Sequence, residues 1–332
     1  MKKILFTSPC VAELVDYDAS APREGEIQVR ILRSTISSGT ERANVIGELN
    51  VDSSKVCTEV RFPRSAGYSS VGVVLSDGCG FKEGDRVALC WSKHSQVINI
   101  KASNAYKLPD SISDKEAALF TIATFPMAAV RKVDAQLGSS AVVMGLGILG
   151  IIAIDLLRLA GCCPVIAVDP VQERRELALK RGADYAFDPY EDGFAEKVKA
   201  VTDGGANVAI EVTGIGKALD QVLDCMAPFG KVALLGCTRN SDFTIDYYHK
   251  VHASGVSLIG AHTKARPKFE SSPNVWTEAD DMKTLIRFAV AKRLDLGSLV
   301  DRVVSPAAAP EIYKELSKGG AFPTTQFDWS LL

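Results

Sequence analysis

The feature that most constrains this fold is a glycine-rich segment, AVVMGLGILG (141–150), which follows the pattern Gly-x-Gly-x-x-Gly. The apolar run AVVM is typical of a strand buried on both faces, and the glycines come where such a strand would turn into a helix. The first glycine permits the tight turn, the second lets a pyrophosphate approach the backbone, and the third lets the helix pack closely on the strand. The segment therefore predicts a phosphate site at a helix N-terminus. Its predicted residues are Gly145, Gly147, Ile148, Leu149 and Gly150.

The segment around this motif, from residue 139 to about 262, alternates short apolar runs with helical stretches. This rhythm is typical of a parallel, doubly wound sheet. The predicted strands are Ala141–Met144, Val165–Val168, Tyr185–Phe187, Val208–Glu211, Val232–Leu235 and Val256–Ile259.

An acidic residue follows the second predicted strand, in VIAVDP (165–170). Asp169 lies nineteen residues beyond Gly150, about where a carboxylate accepts hydrogen bonds from the ribose of a dinucleotide. A carboxylate there repels a 2′-phosphate, so the sequence predicts NAD rather than NADP. Arg174 is expected against the adenine or the ribose, with a solvated position on the helix surface, like that of Arg175, as the alternative.

The rest of the chain predicts a second, β-rich domain. Its first third has short strands with glycine turns, typical of a compact barrel. Residues 113–132 are helical, with Ser113 and Glu116 spaced as a capping box, and Pro126 is expected to kink or divide this helix. Val303 and Val304 are expected to return as a strand. The predicted domains are residues 1–122 and 263–332, packed together, and 123–262.

Composition excludes several functions and locations. Lys plus Arg number 38 and Asp plus Glu 40, a net charge of −2, without the basic stripe that nucleic-acid binding requires. The longest uncharged apolar run, Ala141–Ile154, is too short to span a bilayer, and the first residues lack the apolar core of a signal peptide. Eight cysteines show no CxxC spacing, which favours reduced thiols in a cytoplasmic protein.

Beyond these local patterns, the whole chain resembles the medium-chain dehydrogenase/reductase superfamily. The segments that carry the resemblance are GDRV (84–87), LPDSISDKEAALF (108–120), MGLGILG (144–150), AIEVTGIGKALDQVLDCMAPFGKVALLG (209–236) and SLIGAH (257–262). The resemblance implies an α/β protein in which a GroES-like catalytic domain accompanies a Rossmann cofactor domain, with a cleft between them.

The same resemblance implies further cofactor contacts and an assembly. Val212, Thr213 and Gly214 would lie near the ribose and nicotinamide, and Gly236, Cys237, Gly260 and Ala261 would lie beside the nicotinamide. It also suggests a homodimer, in which the edge strand Ser254–Ile259 pairs with its symmetry mate and hides an otherwise exposed edge.

The chain departs from the zinc-dependent members at all three ligand positions. Ser37 stands in place of a cysteine, Gly67-Tyr68-Ser69 stands in place of Gly-His-Glu, and residues 117–130 contain no Cys, His, Asp or Glu. The four-cysteine lobe for structural zinc is absent from the sequence as well. A hydroxyl and a phenol do not make a tetrahedral zinc site, so a protein without zinc is expected. The SSGTE (37–41) and GYSSVG (67–72) segments are similar to a branch that includes bacteriochlorophyllide dehydrogenases and sugar- or polyol-type dehydrogenases.

Without a metal, side chains must handle the proton and stabilise the substrate oxygen. His94 has a suitable ordinary pKa and is the predicted base. Tyr68, with Thr40, is the predicted hydrogen-bond donor to the substrate oxygen, and Glu41 is expected to bind a substrate hydroxyl or orient the base. The alternatives are a structural His94, a packing Tyr68, and a Glu41 that caps or pairs with a nearby arginine.

The sequence thus predicts an oxidoreductase that interconverts an alcohol, of polyol or sugar type, and a carbonyl with NAD(H). Two alternatives remain open. One is enoyl or quinone reduction, usually with NADPH, which Asp169 disfavours. The other is a non-catalytic NAD-binding protein.

Overall fold

A computed structural model describes residues 1–51, 58–239, 241 and 243–332. Within them, sixteen strands and nine α-helices are formed. The strands are β1 (Lys2–Ser8), β2 (Val11–Asp16), β3 (Glu26–Thr35), β4 (Arg64–Ser65), β5 (Ser69–Val74), β6 (Arg86–Cys90), β7 (Val97–Lys101), β8 (Ala105–Lys107), β9 (Ala141–Met144), β10 (Val165–Val168), β11 (Tyr185–Phe187), β12 (Ala206–Glu211), β13 (Met226–Leu234), β14 (Ser257–Gly260), β15 (Arg302–Val304) and β16 (Thr325–Asp328). The helices are α1 (Ser38–Ile46), α2 (Asp114–Ala117), α3 (Phe120–Lys132), α4 (Ile148–Leu159), α5 (Gln172–Lys180), α6 (Phe194–Val201), α7 (Gly216–Asp224), α8 (Glu278–Val290) and α9 (Ala309–Ser317).

The chain divides into two compact units. Unit 1 comprises Met1–Ile122 and Met282–Leu332, and unit 2 comprises Ala123–Asp281. The chain therefore leaves unit 1 once and returns to it.

Unit 2 contains a six-stranded parallel sheet in the order β11-β10-β9-β12-β13-β14. This confirms the predicted doubly wound sheet. Every residue of β9 and β10 is buried, which explains their uninterrupted apolar sequences. The strand order reverses between β9 and β12, so the carboxyl ends of these two strands border a crevice of the kind in which such sheets bind ligands.

Unit 1 is built on a mainly antiparallel sheet in the order β15-β16-β3-β5-β6-β8, with β7 also paired to β3. A three-stranded sheet, β2-β1-β4, accompanies it. Its core includes the rings of Phe6, Tyr313 and Phe327, all fully buried. Val303 and Val304 lie in β15, which confirms that the C-terminal segment returns to this sheet.

The predicted helix 113–132 forms two helices, and its division differs from the expected one. Ser113 caps α2, since its Oγ accepts a hydrogen bond from the Glu116 amide. The Glu116 carboxylate does not complete the capping box; it accepts from the Leu296 amide instead. The helices separate at residues 118–119, and Pro126 lies inside α3 rather than dividing it.

The segment 263–281, which the sequence grouped with the last domain, clusters with unit 2. The cause is a set of contacts with α3. Arg266 donates to the Thr124 carbonyl, and Arg131 pairs with the buried Asp281 at 2.7 Å. The Arg131 guanidinium also stacks 3.6 Å from the ring centre of Trp276. These long-range contacts carry no signal in the local sequence. The sequence therefore places the domain boundary at residue 262, just after the last predicted strand of the parallel sheet.

The described cysteines are free thiols, and Cys57, one of the eight predicted to be reduced, lies outside the described residues.

Among the described residues, no helix combines the length and apolar character needed to cross a membrane.

Candidate functional site

The glycine motif forms a tight turn between β9 and α4. Gly145 has a φ of +99°, and a Cβ added there would lie 2.7 Å from the Thr213 Cγ2 atom. A Cβ on Gly150 would overlap the Gly145 carbonyl oxygen, so only glycine lets α4 pack this closely. No atom of the described residues, apart from Gly147 and its chain neighbours, lies within 4 Å of the position that a Gly147 Cβ would occupy, so there is open space beside this backbone.

Gly147 is also the N-cap of α4, and it provides no side-chain cap. The amide groups of the first turn, which includes Ile148, Leu149 and Gly150, lack intrahelical acceptors and lie at the positive end of the helix dipole. Together with the open space at Gly147, this geometry fits a pyrophosphate.

Asp169 follows β10 directly and is almost fully buried, with 3% of its surface exposed. Its Oδ2 accepts from the Leu146 amide at 2.9 Å, and its Oδ1 accepts from the Val171 amide at 2.9 Å. Arg174 Nη1 lies 3.4 Å from Oδ2, whereas Arg175 donates to the Asp169 carbonyl. The carboxylate is therefore fixed beside the glycine turn and retains acceptor capacity, because its two oxygens offer about four sites.

The loops that follow β12 and β13 meet at the same edge of the sheet. A Cβ on Gly214 would lie 2.8 Å from the Cys237 carbonyl atoms, and a Cβ on Gly236 would overlap the Gly214 amide nitrogen. Val212 and Thr213 are half-buried in the first loop, whereas Cys237 is exposed in the second. These resemblance-derived positions are thus brought together in unit 2.

Sequence reasoning missed Glu211, the last residue of β12. Its buried carboxylate accepts from the amides of Thr213 and Gly214 and from the Thr213 hydroxyl. Burial raises the pKa of this carboxyl, and those hydrogen bonds oppose the rise. The available signal was an acidic residue at the end of the apolar run VAI.

Gly260 and Ala261 lie at the end of β14. The Ala261 amide donates to the Leu234 carbonyl at 3.0 Å, and the Gly260 carbonyl accepts from Lys132 Nζ at 2.7 Å. Burial, followed by the nearby cations Lys264 and Arg239, lowers the pKa of the adjacent His262.

In unit 1, His94 is completely buried and both ring nitrogens are engaged. Nδ1 lies 2.7 Å from Ser34 Oγ, which itself accepts from Trp329 Nε1 at 2.9 Å. Nε2 lies 3.0 Å from the Glu41 carboxylate. Both ring nitrogens are therefore already taken by polar partners, so neither is left for a substrate. This corrects the expectation that His94 is the base: its ring belongs to the polar core of unit 1.

Glu41 is likewise buried, in α1, with 2% of its surface exposed. Besides the His94 ring, its carboxylate accepts from the Tyr313 hydroxyl and from the Ser37 amide. Burial, followed by the nearby Glu41 carboxylate, raises the pKa of Tyr313 well above its ordinary value. Glu41 is therefore a core residue whose carboxylate is held by three donor groups. Its expected partners, Arg42 and Arg64, are not among its hydrogen-bond partners, and it does not bind a substrate directly.

Tyr68 is half-buried, and its hydroxyl donates to Ser37 Oγ. The Trp91 ring, which is 42% exposed, lies 5.9 Å from the Tyr68 ring, centre to centre. Thr40 lies in the first turn of α1, where it is half-buried. The structure thus joins Tyr68 to Ser37, the residue at the N-cap of α1.

These same positions test whether the site suits zinc. The side chains of Ser37 and Tyr68 are bonded to each other, and the neighbouring Ser69 hydroxyl donates to the Ala118 carbonyl. Within the described residues, no group of three or more His, Cys, Asp or Glu side chains is arranged to hold a metal ion. Neutral hydroxyls are poor zinc ligands beside thiolates, imidazoles and carboxylates, so the donor set does not fit a tetrahedral zinc ion.

Comparison with known proteins gives a consistent result. A family described as "Zinc-binding dehydrogenase" matches residues 149–281. The chain is 28% identical to D-guloside 3-dehydrogenase of Escherichia coli (strain K12), over 95% of each chain. It is 30% identical to L-threonine 3-dehydrogenase of Pyrococcus furiosus, over 78% of this chain and 82% of the relative. Among solved structures, galactitol-1-phosphate dehydrogenase from Escherichia coli matches with a TM-score of 0.83 and 17% identity, over 99% and 100% of the two chains. This likeness confirms the predicted fold class.

The core position of His94 predicts a stability effect. His94→Ala leaves the buried Glu41 carboxylate and the Ser34 hydroxyl short of a partner, so the free energy of unfolding should fall by about 3 kcal/mol or more. Urea unfolding followed by circular dichroism measures this. His249→Ala is the matched control, since His249 is exposed and its contacts with Asp246 and the Tyr248 ring lie at the surface; it should change stability by less than about 0.5 kcal/mol. A His94→Ala protein as stable as the wild type would contradict the structural role.

Proposed function

We propose that this chain, which belongs to the medium-chain dehydrogenase/reductase superfamily, is a zinc-independent dehydrogenase that interconverts an alcohol and a carbonyl with NAD(H). The observation that carries the proposal is the crevice at the carboxyl ends of β9 and β12. There the open backbone at Gly147 and the buried Asp169 lie on one sheet edge. A dinucleotide bound there would supply the hydride acceptor.

The preference for NAD rests on Asp169. In the proposed complex, its carboxylate accepts hydrogen bonds from the ribose hydroxyls of the adenosine half, and a 2′-phosphate would be repelled. Arg174, within reach of that carboxylate, steadies it from the helix side and lies near the ribose.

The remaining contacts are proposed for the nicotinamide half. They come from the loops after β12, β13 and β14, which follow the glycine turn across the crevice. The proposed residues are Val212, Thr213, Gly214, Gly236, Cys237, Gly260 and Ala261.

Zinc independence rests on the chemistry of Ser37 and Tyr68. A hydrogen-bonded pair of hydroxyls can stabilise a substrate oxygen by donation, as an oxyanion hole does, without Lewis-acid chemistry. We propose that substrate binding turns the Tyr68 O–H from Ser37 Oγ to the substrate oxygen, with Ser37 and Thr40 as neighbouring polar groups. As hydride leaves the carbinol carbon, the hydroxyl proton passes to water. His94 and Glu41 take no part in this transfer. Their hydrogen bond instead stabilises the first turn of α1.

A polyol or sugar-type substrate is favoured. Ser37, Thr40 and Tyr68 are hydroxyl-bearing, which suits a substrate with several hydroxyl groups. The relative aligned over nearly the whole chain carries the name of a guloside dehydrogenase, which is consistent with a sugar substrate. A cytoplasmic location stays a prediction from the cysteine pattern.

A screen of alcohol oxidation tests the proposal. Protein dialysed against a zinc chelator should reduce NAD, followed at 340 nm, with at least one member of a panel of polyols, sugars and sugar acids. The kcat/KM for NAD should exceed that for NADP, because Asp169 faces the ribose. Activity lost on chelation and restored by zinc would overturn zinc independence, and equal or higher kcat/KM for NADP would overturn the cofactor preference. NADH binding without any turnover would favour a non-catalytic protein.

Removal of one hydroxyl tests the role of Tyr68. Tyr68→Phe should lower kcat by roughly 10²-fold, because donation to the reacting oxygen is worth most in the transition state. The Kd for NADH should stay near that of the wild type. Tyr185→Phe, at an exposed tyrosine of β11, is the control and should leave kcat unchanged. Wild-type kcat in Tyr68→Phe would refute this assignment.

We also propose a homodimer formed through β14. This strand pairs with β13 and ends the sheet, so its other edge has backbone groups suited to pairing with a second copy. Light scattering should give about twice the chain mass of 35.6 kDa. A mass of one chain at micromolar concentration would contradict this arrangement.

A further inference from the structure

The buried carboxylate of Glu211 has no assigned role in the reaction proposed above. It ends β12 with 2% of its surface exposed, and within the described residues no lysine or arginine forms an ion pair with it. Its carboxylate is met instead by three neutral donors from two residues: the Thr213 amide at 2.7 Å, the Thr213 hydroxyl, and the Gly214 amide at 3.1 Å. A buried carboxylate is costly unless such donors satisfy it, so this arrangement requires the loop 212–214 to keep one conformation.

The main chain of Glu211 fixes the neighbouring loop as well. Its carbonyl oxygen accepts from the amides of Leu235 and Gly236, both at 2.9 Å. The side chain thus holds the loop after β12, while the backbone of the same residue holds the start of the loop after β13. Since Gly236 and Gly214 pack backbone to backbone, a shift in one loop would displace the other.

The loop held by Glu211 also touches the glycine turn. The Thr213 methyl group lies where a Gly145 Cβ would point, and β12 pairs directly with β9. Glu211 therefore lies on the other side of the crevice from Asp169. Asp169 follows β10, on one side of β9, whereas Glu211 ends β12, on the other side of β9. In such a crevice the two halves of a dinucleotide lie on the two sides of the reversal.

We propose that Glu211 is a positioning residue that holds the loop 212–214 in the conformation that binds the nicotinamide half of the cofactor. The inference rests on the proposed function. It deepens that function, because it separates the affinity for the two halves of the dinucleotide. Asp169 governs the adenosine half, whereas Glu211 acts on the other half through Thr213 and Gly214.

The test compares two ligands on one variant. Glu211→Gln has nearly the same shape, but its side-chain NH₂ group replaces the oxygen that accepts from the Gly214 amide. Two donors then face each other at that position. Isothermal titration calorimetry should give a Kd for NADH at least about 10-fold weaker than that of the wild type. The Kd for 5′-AMP, which represents the adenosine half alone, should change less than 2-fold.

Two further variants keep the test decisive. Asp155→Asn removes a half-buried carboxylate of α4 that pairs with Arg181, away from the loops, so it controls for a general loss of stability. It should leave both Kd values near wild type. Thr213→Val removes only the hydroxyl donor and should weaken NADH binding in the same direction by a smaller factor; it carries the test should Glu211→Gln not fold.

The outcomes separate the inference from the proposed function. A wild-type protein that binds neither NADH nor 5′-AMP overturns the proposed function itself. A wild type that binds both, with Glu211→Gln unchanged for NADH or weakened equally for both ligands, overturns the positioning role alone. Selective loss of NADH affinity in Glu211→Gln, with Asp155→Asn unaffected, supports it.

Discussion

The parallel pairing of β9 with β10 on one side and β12 on the other is the constraint on which the candidate site depends. Parallel strands end at the same sheet edge, so this pairing alone brings Gly145, Asp169 and Glu211 to one place, although they lie far apart in the chain. The glycine contacts then follow from the spacing of the strands. Adjacent parallel strands are about 5 Å apart, so the loops after them meet with little room for side chains.

The geometry of the candidate cofactor crevice was largely predictable from sequence because its signals are local. A strand, a glycine turn and a helix lie within one short segment, and Asp169 follows the next strand. Each pattern records a steric or hydrogen-bonding need that neighbours in sequence satisfy. Glu211 escaped the same reasoning, although it is equally local. An acid at the end of an apolar strand is usually a solvated strand terminus, and only the burial of its carboxylate distinguishes it.

The catalytic candidates were less predictable because burial of a polar side chain depends on partners from distant parts of the chain. Histidine has an ordinary pKa suited to a base, and His94 follows a strand, which made it the chemical choice for a base. Its role is decided by Ser34 in β3, Glu41 in α1 and Trp329 near the last residues of the chain. No local pattern at residue 94 contains that information. The unit boundary near residue 281 was missed for the same reason, since it depends on Arg131 and Asp281.

The replacement of zinc-type ligands by hydroxyls has an electrostatic consequence for unit 1. A metal ion would bring positive charge that nearby carboxylates balance, whereas Ser37 and Tyr68 bring none. The buried Glu41 carboxylate is instead satisfied by three polarised N–H and O–H groups, from His94, Tyr313 and the Ser37 backbone. Ser37 thus contacts both groups. Its amide donates to the buried Glu41 carboxylate, and its hydroxyl oxygen accepts from the Tyr68 hydroxyl. The buried acid therefore serves to fix the orientation of the N-terminal turn of α1. That orientation in turn fixes the position of the hydroxyl pair that we propose for the substrate.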